Sequence, residues 1–165
     1  MIINKEVQFN NIVNDILKNE EFIELKYEMH HGISRLDHSL SVAHLTYDIC
    51  DFLNLKNTND ITRAALLHDF FKDSEVEKHS FINHPLVASK NAERNFNINK
   101  LQKNIIESHM FPISKVIPKS IGSYIVSIAD KIVAIRECAK YKVPLTIGAT
   151  FLFIINISFI RHINW

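Results

Sequence analysis

The chain has 165 residues, a usual size for one domain and long enough to bury a hydrophobic core. Its 19 basic and 18 acidic residues give a formal net charge of +1, so the overall charge predicts no specific nucleic-acid-binding surface. The 47% apolar content argues against disorder, and only three glycines and four prolines favour helices over a turn-rich β fold.

The N-terminal half predicts two amphipathic helices. In residues 4–19 the apolar positions recur at mostly helical spacing. A second helix is expected over residues 34–53, where Ser34 suits the N-cap. Asp37, at the third helical position, completes a variant of the capping box with Ser34.

The central part predicts a loop followed by a third helix. Residues 54–59 are polar, and Asp60 suits the N-cap of a helix over residues 61–71. Residues 73–83 are charged and show no regular period, so an irregular segment is expected there.

Three more helices are expected before residue 140. Pro85 suits the first turn of a helix that continues to about residue 95, and another follows over residues 101–109. After a loop that contains two prolines, Ser120 opens a helix that continues to at least residue 135. No segment predicts a convincing strand, so the expected fold is an all-α, single-domain helical bundle.

Two adjacent residues that often bind metal ions, His68 and Asp69, lie inside the apolar run 64–71. Burying a carboxylate is unfavourable unless it is paired or bound to a cation. A metal ion would use both side chains, whereas a buried His–Asp hydrogen bond or a C-terminal helix cap would explain them without one. Further histidines and an aspartate lie inside or at the edge of apolar helical segments: His38, His84, His109 and Asp130.

The order of these residues resembles that of the HD superfamily of metal-dependent phosphohydrolases, over roughly residues 32–139. The resemblance is carried by Arg-Leu-Asp-His-Ser around His38, by Leu-Leu-His-Asp ending at Asp69, and by Ser-Ile-Ala-Asp-Lys around Asp130. The family often has a small residue before the lysine that follows the central motif, and Phe71 stands there in this chain. The chain is similar to a branch of small bacterial HD proteins.

The resemblance implies a division of the chain into three parts. Residues 1–29 would form an N-terminal helical segment that packs on the core, residues 30–142 would form the HD metal-binding domain, and residues 143–165 would form an apolar tail.

The resemblance also implies a cofactor of divalent transition metal, expected to be two ions of Fe, Mn, Zn or Co, since imidazole and carboxylate suit these metals better than Mg or Ca alone. Asp69 would bridge the ions and be catalytic, and His84 and His109 would bind the second ion, as in dinuclear members. A water activated by the two ions would be the nucleophile. The implied ligands are His38, His68, Asp69, His84, His109 and Asp130.

Several cations near these motifs are candidate contacts to substrate. Arg35, Lys72 and Lys131 are candidates for phosphate binding, with Lys72 also catalytic, and ordinary surface ion pairing is the alternative. His31, beside a glycine, is a candidate substrate contact or an exposed loop residue. Asp73 either holds a metal-bound water or caps a helix.

The expected function is hydrolysis of a phosphoester of a nucleotide or a related small molecule. One alternative is a single-metal 5′-nucleotidase, although members with one ion lack the additional histidine pair that this chain has. The other is a catalytically silent HD module that binds a nucleotide or a protein partner. The identity of the substrate and the oligomeric state are not predicted.

Localisation is expected to be cytoplasmic. Cys50 and Cys138 have no disulfide-framework spacing, and Lys5 and Glu6 lie where a signal peptide would have apolar residues. Residues 143–160 are nearly continuously apolar, however, and at a rise of about 1.5 Å per residue such a helix approaches the roughly 30 Å of a bilayer core. This segment predicts either a membrane anchor or a buried element that closes the domain.

Overall fold

A computed structural model describes residues 4–30, 32–76 and 81–140 of the chain. Within these ranges the fold is all-α, as predicted. The α-helices in chain order are α1 (Lys5–Val13), α2 (Glu20–Ile23), α3 (Arg35–Phe52), α4 (Thr58–Leu67), α5 (His84–Asn95), α6 (Lys100–Ser108) and α7 (Ile121–Lys140). Shorter elements are the 3₁₀ turns Ile16–Lys18, Glu24–Tyr27, Asp73–Glu75 and Phe81–Asn83 and the strands β1 (Met29–His30) and β2 (Ile33–Ser34).

The predicted helix starts are confirmed where a local cap defines them. The Ser34 side chain accepts a hydrogen bond from the Asp37 amide at 3.1 Å and donates one to the Asp37 carboxylate at 2.6 Å, and α3 begins directly after it. Pro85 lies in the first turn of α5, where its missing N–H group is not needed.

Three boundaries differ from the prediction. The first helix ends at Val13, and the chain continues into a separate 3₁₀ turn instead of reaching residue 19. Helix α4 starts at Thr58, so that Asp60 lies in its first turn, where a negative charge favours the helix dipole, and not at the N-cap. Helix α4 also ends at Leu67, four residues before the expected end, because the Phe70 amide bonds to the Leu67 carbonyl three residues back.

A short antiparallel hairpin was not predicted. Strands β1 and β2 pair through Met29 with Ser34 and His30 with Ile33, and Gly32 between them has a φ of 89°. Glycine adopts this left-handed conformation without the steric penalty of a side chain. Two-residue strands show no alternating pattern in a sequence, so they leave no signal to predict from.

The core lies between α3, α4, α6 and α7, with α1 packed on α4 and α5 packed on α6. Phe9 and Ile16 from the N-terminal segment are fully part of this core. Helices α4 and α7 approach closely at Gly122, where a β-carbon would lie 2.7 Å from Ile61 Cγ1. This close approach joins the first half of α4 to the start of α7, the helix that carries Asp130.

The predicted apolar tail, residues 143–165, lies outside the described residues, and its role as an anchor or a closing element stays a prediction. The division of the chain at residues 29 and 142 likewise stays a prediction. Among the helices that the structure describes, none combines the length and the apolar character needed to cross a membrane.

Candidate metal centre

Two of the predicted ligands, His68 and His109, each follow directly after the end of a helix. The Nδ1 atom of His68 lies 2.7 Å from the Ala65 carbonyl, and that of His109 lies 2.7 Å from the Ile106 carbonyl. Carbonyls in the last turn of a helix have no partner within the helix, so each one accepts the histidine Nδ1–H. This bond occupies Nδ1 in both residues and leaves Nε2 as the ring atom that a metal ion could bind.

His68 Nε2 is buried and makes no hydrogen bond with any residue in the described ranges. Two carboxylate oxygens, Asp69 Oδ2 and Asp130 Oδ1, lie 3.7 Å from it. A buried ring nitrogen without a hydrogen-bond partner is unfavourable. The carboxylates next to it make this position suitable for a cation.

His38 lies in the first turn of α3 and is fully buried. Its Nε2 atom lies 3.2 Å from Asp130 Oδ1, and its Nδ1 atom lies 2.9 Å from Glu137 Oε2. Both acids are on α7. Glu137 was not singled out from the sequence, where the only signal is an acid two helical turns after Asp130.

The second histidine pair faces Asp69. His84 Nε2 lies 3.0 Å from His109 Nε2, and Asp69 Oδ1 lies 3.2 Å from the former and 3.5 Å from the latter. The His84 ring stacks on Phe71 at 4.9 Å between centroids, which holds it in place. Phe71, which departs from the family's small residue, therefore supports a predicted ligand.

Two groups of these donor atoms could each hold a metal ion. His38, His68 and Asp130 offer three donors within 4.8 Å of one another, and so do His68, Asp69 and His109. Around an ion with ligands at about 2.1 Å, neighbouring donors are about 3.0 to 3.4 Å apart. The separations of 3.0 to 3.7 Å between donor atoms here are close to that requirement. The two oxygens of Asp69 face different histidines, Oδ2 toward His68 and Oδ1 toward His84.

The cluster is electrostatically suited to a cation. Burial opposes ionisation of Asp69 and Asp130, but the neighbouring histidines outweigh it and hold the pKa of both acids well below the usual range. Burial and the charges of nearby histidines lower the pKa of His109 to about 3, so its imidazole is neutral. Burial also disfavours charge on His38, but the hydrogen bonds with Asp130 and Glu137 raise its pKa to about 10.

The candidate phosphate contacts Arg35 and Lys131 lie in the interior. Arg35 is 1% exposed, and its guanidinium donates to the Phe71 carbonyl at 3.0 Å and to Asp73 at 2.8 Å. Lys131 is 8% exposed and donates to the His109 carbonyl at 3.0 Å and to the Ser127 carbonyl and hydroxyl at 2.9 and 2.8 Å. Arg35 thus has an ion-pair partner and Lys131 has hydrogen-bond partners within the protein, and their contact with phosphate stays a prediction.

The remaining candidates occupy the surface or lie outside the described ranges. Lys72 pairs with Glu24 at 2.5 Å, and its side chain is 40% exposed. Asp73, paired with Arg35, is 66% exposed at its side chain. His31 is not among the described residues, so its proposed substrate contact stays a prediction.

The chain is similar to a known protein family and to curated proteins. The HD domain family model matches residues 35–135. Two curated relatives, both named ribonuclease Y and from two strains of Staphylococcus epidermidis, are each 34% identical over 140 residues. The match covers 82% of this chain but 24% of each relative, so the chain spans about a quarter of their length. No solved structure matches the chain significantly.

Proposed function

Because the chain belongs to the HD family of metal-dependent phosphohydrolases, we propose that it hydrolyses a phosphoester bond of a nucleotide or a related small molecule. The supporting observation is the convergence of six potential ligands, which come from distant parts of the chain, on one buried cluster. The proposed ligands are His38, His68, Asp69, His84, His109 and Asp130.

We propose two ions of Fe, Mn, Zn or Co as the cofactor. His38, His68 and Asp130 would hold the first ion, His84 and His109 would hold the second, and Asp69 would bridge them. Bound ions of this kind supply Lewis-acid polarisation of a phosphoryl oxygen and lower the pKa of water. The separation of 3.0 Å between His84 Nε2 and His109 Nε2 favours this arrangement over a single-metal nucleotidase, in which these two histidines would have no ligand role.

The chain itself contributes orientation and an enclosed site. The hydrogen bonds at Nδ1 fix the rings of His68 and His109 before any ion binds, so little ordering remains to be done on binding. The side chain of Asp130 is 14% exposed, whereas those of His38 and His68 are fully buried. Substrate would therefore approach from the Asp130 side of the cluster. Lys72 and His31 remain proposed substrate contacts.

A phosphodiester of RNA is a second candidate substrate, and the 34% identity to ribonuclease Y over 140 residues favours it. Those relatives are about four times as long as the matched part, so their activity transfers to this chain only as a proposal. The net charge of +1 gives little general attraction for a polyanion and favours a short or small substrate over a long RNA.

The test is metal content and hydrolysis measured on the same preparations. We expect about two equivalents of ion after loading with Mn²⁺ or Zn²⁺, and hydrolysis of bis(p-nitrophenyl) phosphate, nucleoside monophosphates or a short RNA. Asp69→Ala should lose both properties. His44→Ala is the matched control, because His44 stacks on Phe9 at 3.7 Å, away from the cluster. A wild-type chain that binds no transition metal would refute the proposal.

A further inference from the structure

Glu137 is a buried acid to which the proposed function assigns no role. It is 8% exposed and lies seven residues after Asp130 on α7, about two helical turns, so both side chains are on one face of the helix. The ring of His38 lies between them, with Nε2 at 3.2 Å from Asp130 Oδ1 and Nδ1 at 2.9 Å from Glu137 Oε2.

Burial of the Glu137 carboxylate lowers the stability of the fold unless other contacts compensate. A carboxylate removed from water is unfavourable unless its oxygens find donors or cations. Glu137 Oε1 is buried and makes no hydrogen bond within the described ranges. The contact with His38 is therefore the feature that best accounts for an acid at this position.

The position of His38 in its helix explains why a side chain must provide this contact. His68 and His109 follow the ends of α4 and α6, where a backbone carbonyl accepts their Nδ1–H. His38 instead lies at the beginning of α3, where the backbone groups without a helical partner are N–H donors. The acceptor that lies at its Nδ1 atom is the Glu137 carboxylate, at 2.9 Å.

We propose that Glu137 is a positioning residue for the ion site of His38, His68 and Asp130. It accepts the Nδ1–H of His38, which leaves the Nε2 lone pair directed toward the ion and prevents the ring from rotating. The inference rests on the proposed function, because it assumes that His38 is a ligand. Acceptors of this kind typically account for 10–100-fold in metal affinity.

Zn²⁺ titration against a chromophoric chelator tests this role in the full chain. Glu137→Ala should weaken one of two Zn²⁺ equivalents by about 10–100-fold. Glu137→Gln, whose amide oxygen still accepts a hydrogen bond but has no charge, should retain more affinity. Glu93→Gln is the matched control, because Glu93 is an exposed acid that pairs with Lys103.

Two further readouts separate positioning from a merely structural role. A structural role would lower the melting temperature equally with and without Zn²⁺, whereas a positioning role reduces the increase in melting temperature that Zn²⁺ produces. In ¹⁵N spectra of the Zn²⁺-loaded chain, His38 should show Nδ1 protonated in the wild type and lose that defined signature in Glu137→Ala. If Glu137→Ala does not fold, both measurements are made on Glu137→Gln instead.

The outcomes distinguish the inference from the function on which it rests. A wild-type chain that binds two Zn²⁺ ions and hydrolyses phosphoesters, with unchanged affinity and an unchanged His38 spectrum in the Glu137 variants, overturns the inference alone. A wild-type chain that binds no Zn²⁺ overturns both.

Discussion

Replacing Lys131 with Met should destabilise the protein without removing a substrate contact. The ammonium donates to three acceptors, the carbonyls of His109 and Ser127 and the Ser127 hydroxyl. Met keeps the length and the packing of the side chain but leaves the two carbonyls without this donor. The Ser127 hydroxyl keeps its own bond to the Phe111 carbonyl at 3.2 Å.

The magnitude follows from these bonds. The Ser127 carbonyl lies inside α7 and keeps its helical hydrogen bond, so the His109 carbonyl is the group that loses its donor. A carbonyl left without a partner in the interior costs about 1–3 kcal/mol. The penalty of burying the ammonium, which lowers the pKa of Lys131, is relieved at the same time. We expect a net loss of about 1–3 kcal/mol in the free energy of unfolding, and thus roughly 2–4 °C in melting temperature for each kcal/mol.

Thermal unfolding followed by circular dichroism, with and without Zn²⁺, measures this loss. Because Lys131 donates to the backbone carbonyl of His109, a proposed ligand, the increase in melting temperature that Zn²⁺ produces should also be smaller in this variant. Lys131→Arg, which restores donors at a similar reach, is the conservative control. An unchanged melting temperature together with a raised KM for phosphoester would refute this reasoning and favour direct contact between Lys131 and substrate.

Four further predictions address the cluster. Asp69→Ala should lose both ions by elemental analysis and about 10³-fold or more in kcat/KM, since an ion contributes several kcal/mol to the transition state; full metal content would exclude a bridging role. His84→Ala should empty one site and leave the other partly filled, so survival of both ions would show that the second site is assigned wrongly. Lys72→Ala should lower kcat/KM by about tenfold or more with the metal content intact, and an unchanged value on phosphodiesters and nucleoside monophosphates would remove Lys72 from the site. The apparent affinity for Zn²⁺ should rise with pH up to about 10, because the ion must displace a proton from His38. Calorimetry at pH 7 in two buffers of different ionisation enthalpy should show the release of that proton.

Structural features that depend on residues close together in the chain could be predicted from the sequence. Ser34 and Asp37 cap α3 through bonds three residues apart, and Pro85 marks the first turn of α5, so both helix starts were correct. The end of α4 was wrong, because the sequence continues apolar to Phe71 and gives no local stop signal. The His68 side chain, which binds the Ala65 carbonyl, and the backbone turn from Leu67 to Phe70 replace the next helical bonds.

In the candidate site, too, the local sequence predicts some features, whereas contacts between residues far apart in the chain determine others. Histidines and acids inside apolar segments stand out in a sequence, and the structure brings the six predicted ligands together, although their role as ligands stays a prediction. Charge alone does not reveal whether a cation meets substrate or a partner within the protein, and Arg35 and Lys131 have partners inside. Glu137 was missed because an acid near the end of a helix is usually exposed, and its partner His38 is 99 residues away in the chain.

The helix ends explain why these histidines are suited to their proposed role. A histidine after the last turn of a helix finds a backbone carbonyl for Nδ1, as His68 and His109 do, so its orientation requires no further side chain. A histidine at a helix start lacks that carbonyl and depends on a side chain elsewhere, as His38 depends on Glu137. Substitution of His68 or His109 should therefore remove a ligand and a helix cap together, whereas the orientation of His38 can be altered from α7 without changing the ligand itself. We therefore expect substitutions on α7, which carries both Asp130 and Glu137, to alter the proposed first ion site more than the proposed second one.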